Sequence, residues 1–122
     1  MRNIAVILGG CGTKDGSEIN ETVTLLLALD QHNIKYQCFA PDRDQYQVVN
    51  HLTGEVSEER RNMLVESARI VRGEILPLTD FNADEGPIYM GPFIFLGILL
   101  KNFCHDKIII TIFKVLNELF RI

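Results

Sequence analysis

At 122 residues with a net charge of −4, the chain fits a single domain that is long enough to bury a core. Its lysines and arginines are scattered rather than clustered, which leaves no electrostatic footprint for nucleic acid or an anionic membrane, so a small-molecule partner is expected. The three cysteines, at positions 11, 38 and 104, form no CxxC pair, zinc pattern or disulfide framework; a cytoplasmic location is expected, with no metal and no other cofactor.

Asn3 to Leu8, NIAVIL, is aliphatic and ends in glycines, as a strand buried on both faces of a parallel sheet does. The short apolar start is therefore read as a first strand and not as a signal peptide. Residues 8–21, LGGCGTKDGSEINE, form a loop and a helix start. Ser17 is the expected N-cap, Glu18 and Glu21 suit the positive helix end, and Ile19, Val23, Leu26 and Leu27 follow at helical spacing to about Gln31. Lys35 to Phe39, KYQCF, is a second strand that Pro41 ends. The order β, α, β predicts a right-handed crossover and a parallel sheet.

QVVNHLTGE reads as a short strand and turn, and Ser57 to Arg72 as a helix with Leu64, Ala68 and Val71 on one face and Gly73 as its stop. ILPLTDFNADEGP reads as turns. Ile88 to Leu100 reads as one or two strands broken at Gly91 and Pro92, Ile108 to Ile112 as a strand, and the following residues as a helix. The ten apolar residues of GPFIFLGILL are too few for the roughly 20 that a membrane helix needs.

Three chemistries compete for the glycine loop. A dinucleotide turn would place its third glycine at Asp15, whereas glycine arrives at Gly16, and no Walker triplet occurs in the chain. Cys11 is either a nucleophile activated by loop N–H groups or a small buried residue. Glu21 is either a solvated first-turn carboxylate or a group aimed across the strand ends, where open parallel sheets bind ligands. Cys104 and His105 form a further thiol and imidazole pair, which can cooperate only in a sharp turn. The residues alone leave these readings open.

The segments VILGGCGTKDGSEINETVTLLLAL, YQCFAPDRDQYQVVNHLTGE and RRNMLVESARIVRGEILPL resemble the opening of the ElbB-like family, the enhancing-lycopene-biosynthesis or sigma-cross-reacting proteins. That family is a branch of the PfpI and class I glutamine amidotransferase superfamily. Its pattern SGCGxxDGxEIxE is met by Gly10-Cys11-Gly12, Asp15-Gly16, Glu18-Ile19 and Glu21, with Gly9 in place of the usual serine. The resemblance covers about residues 1–85. It implies an α/β fold of flavodoxin-like type, a parallel sheet with flanking helices, and a link to isoprenoid biosynthesis.

It also implies a glyoxalase-like lyase activity on small reactive aldehydes. Glu21 is then the catalytic glutamate of the first helix, and Gly10, Cys11 and Gly12 shape the substrate pocket. The family's glycine-rich PGGFGxAKN turn and its CIAP nucleophile elbow do not occur in these 122 residues. MGPFIFLGILLKNFC stands where the first is expected, with Lys101-Asn102 retained. Residues from about Gly86 on are accordingly expected to derive, at least in part, from a frameshift. The expectation is one domain with a family-like portion (1–85) and a divergent, irregular or repacked portion (86–122), weakly active or inactive. The other expectations are a noncatalytic homo-oligomer joined through FIFLGILL and the last helix, or an enzyme that recruits Cys104 with His105, or Cys11.

Overall fold

The computed structural model describes residues 4–82 and 88–90. Its sheet is built from β1 (Ile4–Ile7), β2 (Tyr36–Ala40), β5 (Ile75–Pro77) and β6 (Ile88–Met90), in the order β5-β2-β1-β6. Each neighbouring pair is parallel, with Ile7 opposite Phe39, Cys38 opposite Ile75 and Ala5 opposite Ile88. The helices α1 (Ile19–Gln31) and α2 (Met63–Ile70) form the β1-to-β2 and β2-to-β5 crossovers. A hairpin of β3 (Val48–Val49) and β4 (Val56–Ser57) lies outside this sheet.

The expected parallel α/β fold with flanking helices is therefore present, and β1 is an interior strand. Successive strands run outward from β1 to β5, and the chain then returns to the other side of β1. The reversal puts the topological switch point between β1 and β6, where such sheets open a crevice at their carboxyl ends.

One face of the sheet carries Val6, Leu8 and Cys38, which pack with Leu29 of α1 as a buried cluster. Leu25, Leu26, Ile34, Val71 and Ile75 close around it. On the opposite face Phe39 meets Phe81 edge-on, with ring centroids 5.4 Å apart. Burial on both faces explains why β1 reads as a continuous apolar run rather than an alternating one.

Four local expectations need correction. The cap of α1 is Glu18, whose carboxylate accepts from Glu21 N–H at 2.7 Å, because the Ser17 hydroxyl is occupied by Gly9 N–H at 2.9 Å. The inward face of α1 is Thr22, Leu25, Leu26 and Leu29, while Ile19, Val23 and Leu27 are exposed. Helix α2 starts at Met63, capped by Asn62, because Val56 and Ser57 are drawn into the hairpin. Residues 75–77, expected as turn, form β5, since pairing with Cys38–Ala40 outweighs the local signal of Pro77.

Both helices end by the same device. After α1, Asn33 is left-handed at φ 54° and Ile34 N–H donates to Leu29 O at 2.9 Å. After α2, Arg72 is left-handed at φ 56° and Gly73 N–H donates to Ala68 O at 2.9 Å. These are Schellman closures, in which the last free carbonyls are satisfied by a reversing chain. The expected stop at Gly73 is thus present, and Gly73 continues the left-handed turn at φ 84°.

Candidate functional site at the end of the first strand

The loop between β1 and α1 is closed by its own backbone. Gly12 N–H donates to Ser17 O at 2.8 Å and Gly16 N–H to Gly12 O at 2.8 Å. Side chains from elsewhere in the chain pin the rest. Ser67 of α2 accepts Gly10 N–H at 2.9 Å, and the Asp15 carboxylate accepts Val49 N–H from β3 at 2.7 Å. Lys14 N–H donates to His51 Nε2 at 3.2 Å.

The N–H groups of Gly9, Gly10, Gly12, Lys14 and Gly16 are therefore committed within the protein. The N–H groups of Gly10 and Gly12, residues expected to shape a substrate pocket, hold the loop together. Gly12 sits at φ +145°, and a Cβ there would run into the Asp15 carboxylate and the His51 ring. At Gly10 (φ +108°) the side chain of Gln45 fills the place of a Cβ. Glycine is needed at both positions because another element approaches the backbone directly.

Cys11 is half-buried, and its thiol is raised above its ordinary range, first by burial and then by the Glu66 carboxylate, with Arg69 opposing. The loop does not produce an activated thiolate there, since desolvation and nearby negative charge both favour the neutral thiol. The groups that act on Cys11 come from α2, Arg61 and Asp15, and Glu21 is not among them. Cys38 is an inert core thiol, pushed up to about 11 by burial.

Glu21 occupies the first turn of α1, just past the loop, and is half-buried. Its Oε2 is buried without a hydrogen-bond partner among the described residues. The same holds for Asp15 Oδ1 and Gln45 Oε1. A carboxylate oxygen withheld from water and left unpaired is costly in a folded protein unless it shares a proton or meets a donor. Among the described residues no three His, Cys, Asp or Glu side chains gather as metal ligands. Cys104 and His105 lie outside the described residues.

Sequence reasoning gave no role to Gln45, His51 and Ser67, which hold this site, and met Asp15 only as a motif position. Ser67 carried a local signal, as a small polar residue on the buried face of α2. The others act through contacts 34 to 37 residues distant, or through the Gln45 approach to Gly10, which no local pattern encodes.

A parallel sheet with a switch point beside a glycine loop and a glutamate at the first helix start defines a flavodoxin-like, amidotransferase-like α/β protein. Comparison with known proteins agrees. The human glutamine amidotransferase-like class 1 domain-containing protein 3, mitochondrial, is 43% identical over 93 residues, covering 74% of this chain and 35% of the relative. The rat ES1 protein homolog, mitochondrial, matches with the same identity and coverage. A zebrafish ES1 protein, mitochondrial, is 38% identical over 73 residues. A solved structure of an isoprenoid biosynthesis protein with an amidotransferase-like domain, from Ehrlichia chaffeensis, superposes with a TM-score of 0.70 at 48% identity, covering 72% of this chain and 42% of that one. No protein-family model matches the chain.

The N-terminal part of this chain is homologous to the glutamine amidotransferase-like class 1 (ES1) proteins, with an isoprenoid biosynthesis protein with an amidotransferase-like domain as a structural neighbour. The chain spans about a third, 35%, of the length of the first two curated relatives. The cytoplasmic expectation is corrected by these relatives, which are named mitochondrial in human, rat and zebrafish. Unpaired cysteines report on redox chemistry and do not distinguish one reducing compartment from another.

Proposed function

We propose that the chain carries the glycine-loop and glutamate portion of a small-molecule site that takes a small reactive aldehyde, with Glu21 as the acid–base group. The single observation that supports this is the Oε2 of Glu21 in the first turn of α1, buried and without a hydrogen-bond partner among the described residues. Conversion of a 2-oxoaldehyde and water to a 2-hydroxy acid needs two things. A nucleophile adds to the aldehyde carbon, and a base carries a proton from that carbon to its neighbour. Glu21 suits the second task. The first has no suitable group among the described residues, since the Cys11 thiol is raised.

On this reading the 122 residues turn over weakly or not at all, and the tail from about Gly86 is a frameshifted replacement for the family's own continuation. The encoding DNA tests that part, because an intact downstream frame with a CIAP codon run is expected. The link to isoprenoid biosynthesis, which the Ehrlichia protein carries in its name, and self-association of the chain belong to the same proposal.

The site is tested with hydroxyacetone, an unreactive carbonyl compound, titrated while backbone amides are followed by NMR. Amides of residues 9–21 should shift, and Glu21→Gln should abolish the response. Shifts confined to other parts of the chain, or unaltered in Glu21→Gln, overturn the site. Lactate formation from methylglyoxal should stay at the uncatalysed rate. Turnover that is lost in Cys104→Ser or Cys11→Ser would make that cysteine the nucleophile and overturn the inactivity.

A further inference from the structure

We propose that His51 is a protonation-dependent latch between the β3–β4 hairpin and the glycine loop: neutral, it holds the Lys14 peptide; protonated, it releases Lys14 and pairs with Asp15. The hydrogen-bond partners define the ring's present state. Val49 O lies 2.9 Å from Nδ1 and can only accept, so Nδ1 carries the hydrogen. Lys14 N–H lies 3.2 Å from Nε2 and can only donate, so Nε2 is the bare acceptor. One neutral tautomer satisfies both partners, and a doubly protonated ring cannot.

The alternative partner is already in place. Asp15 Oδ1 is 3.8 Å from Nε2, and the Asp15 side chain is only 3% exposed. This oxygen is buried and unpartnered among the described residues, while Oδ2 is fixed by Val49 N–H at 2.7 Å. A proton on Nε2 supplies the donor that Oδ1 lacks and turns the contact into a charge-assisted hydrogen bond after an approach of about 1 Å. The same proton removes the acceptor that holds Lys14 N–H. The ring is 38% exposed on its side chain, so the proton reaches it from water without unfolding.

Among the described residues, charged and titratable groups reach this latch from the loop and from beyond it. The loop brings Asp15, and also Lys14, whose ammonium points toward Gly54 in the hairpin turn. Beyond Asp15 lie Cys11 and Arg61, both of which feel its charge. Histidine is the side chain whose charge ordinarily changes between about pH 5 and 8, the range in which such a latch is useful. Release of Lys14 loosens the loop midway between Cys11 and Ser17, and so couples acidification to the shape of the strand-end crevice. This inference stands whatever substrate the crevice takes.

The test is an NMR titration of the full chain from pH 8 to 5. The His51 ring and the Lys14 amide should move with one midpoint. Corrected for its intrinsic pH dependence, Lys14 amide exchange should rise about tenfold on the acid side, the effect expected for losing one modest hydrogen bond. A slowly exchanging Nε2–H signal should appear at low pH and be missing in Asp15→Asn. In His51→Gln the Lys14 step should vanish. A Lys14 amide that stays flat through the His51 transition overturns the latch, as does a step that survives in His51→Gln. Should His51→Gln fail to fold, the two midpoints in the parent decide: if they differ, the latch is wrong.

Discussion

Ser67 and Gly10 are joined twice: the Ser67 hydroxyl accepts Gly10 N–H at 2.9 Å and donates to Gly10 O at 3.3 Å. One buried hydroxyl thereby meets both backbone polar groups of a residue 57 positions away and ties α2 to the turn after β1. Removing it leaves a buried donor unsatisfied. Ser67→Ala is expected to lower stability by about 1–3 kcal/mol, read as the urea midpoint, with faster exchange of the Gly10 amide. An unchanged midpoint would mean that water replaces the hydroxyl.

Gly12→Ala should be at least as damaging. A methyl group there meets the Asp15 carboxylate and the His51 ring while the backbone is held at φ +145°. The expected loss is about 1–3 kcal/mol from strain, with the Lys14 to His51 hydrogen bond among the first contacts disrupted. Thermal denaturation and the Lys14 amide shift measure both effects.

The rotated face of α1 is tested by two leucines. Leu29 is 6% exposed in the core cluster and Leu27 is 54% exposed. Leu29→Ala should cost about 2–5 kcal/mol, as large-to-small core substitutions do. Leu27→Ala should stay within about 0.5 kcal/mol. The reverse ranking in urea unfolding would restore the face expected from spacing.

Cys38 sets an alkaline limit. Burial raises its thiol from 9.0 to about 11, so the folded protein keeps a proton that the unfolded chain begins to release near 9. The stability this contributes is complete below about pH 9 and is lost as pH rises through about 11. The fall in urea midpoint between pH 8.5 and 11 should be shallower in Cys38→Ala than in the parent, and equal slopes would deny the linkage.

Association is read by light scattering. The exposed Ile19, Val23 and Leu27 on α1 and the apolar tail motivate a mass above the 13.9 kDa of one chain. A monomer at all concentrations would remove self-association from the proposed function.

The local code was sufficient for β1, α1, β2 and α2 in that order, but not for β4 and β5. An apolar run closed by glycines yields β1, and a helix-length pattern ended near Gln31 yields α1. The motif GCGxxDGxEIxE identified the kind of protein, because those residue types are demanded by close backbone approach and by the helix start. Tertiary structure decided everything that depends on a partner distant in sequence. Which stripe of α1 faces inward follows from where the sheet lies, so Thr22 is buried and Val23 exposed. Residues 75–77 become a strand only because Cys38–Ala40 offers an edge. Ser17 is turned from a helix cap into a loop clasp, and Asp15, His51 and Ser67 acquire roles through hydrogen bonds to the loop or from it to the hairpin. Periodicity measures how a segment could bury its own apolar face, and only the folded chain brings to it the groups that complete its polar ones.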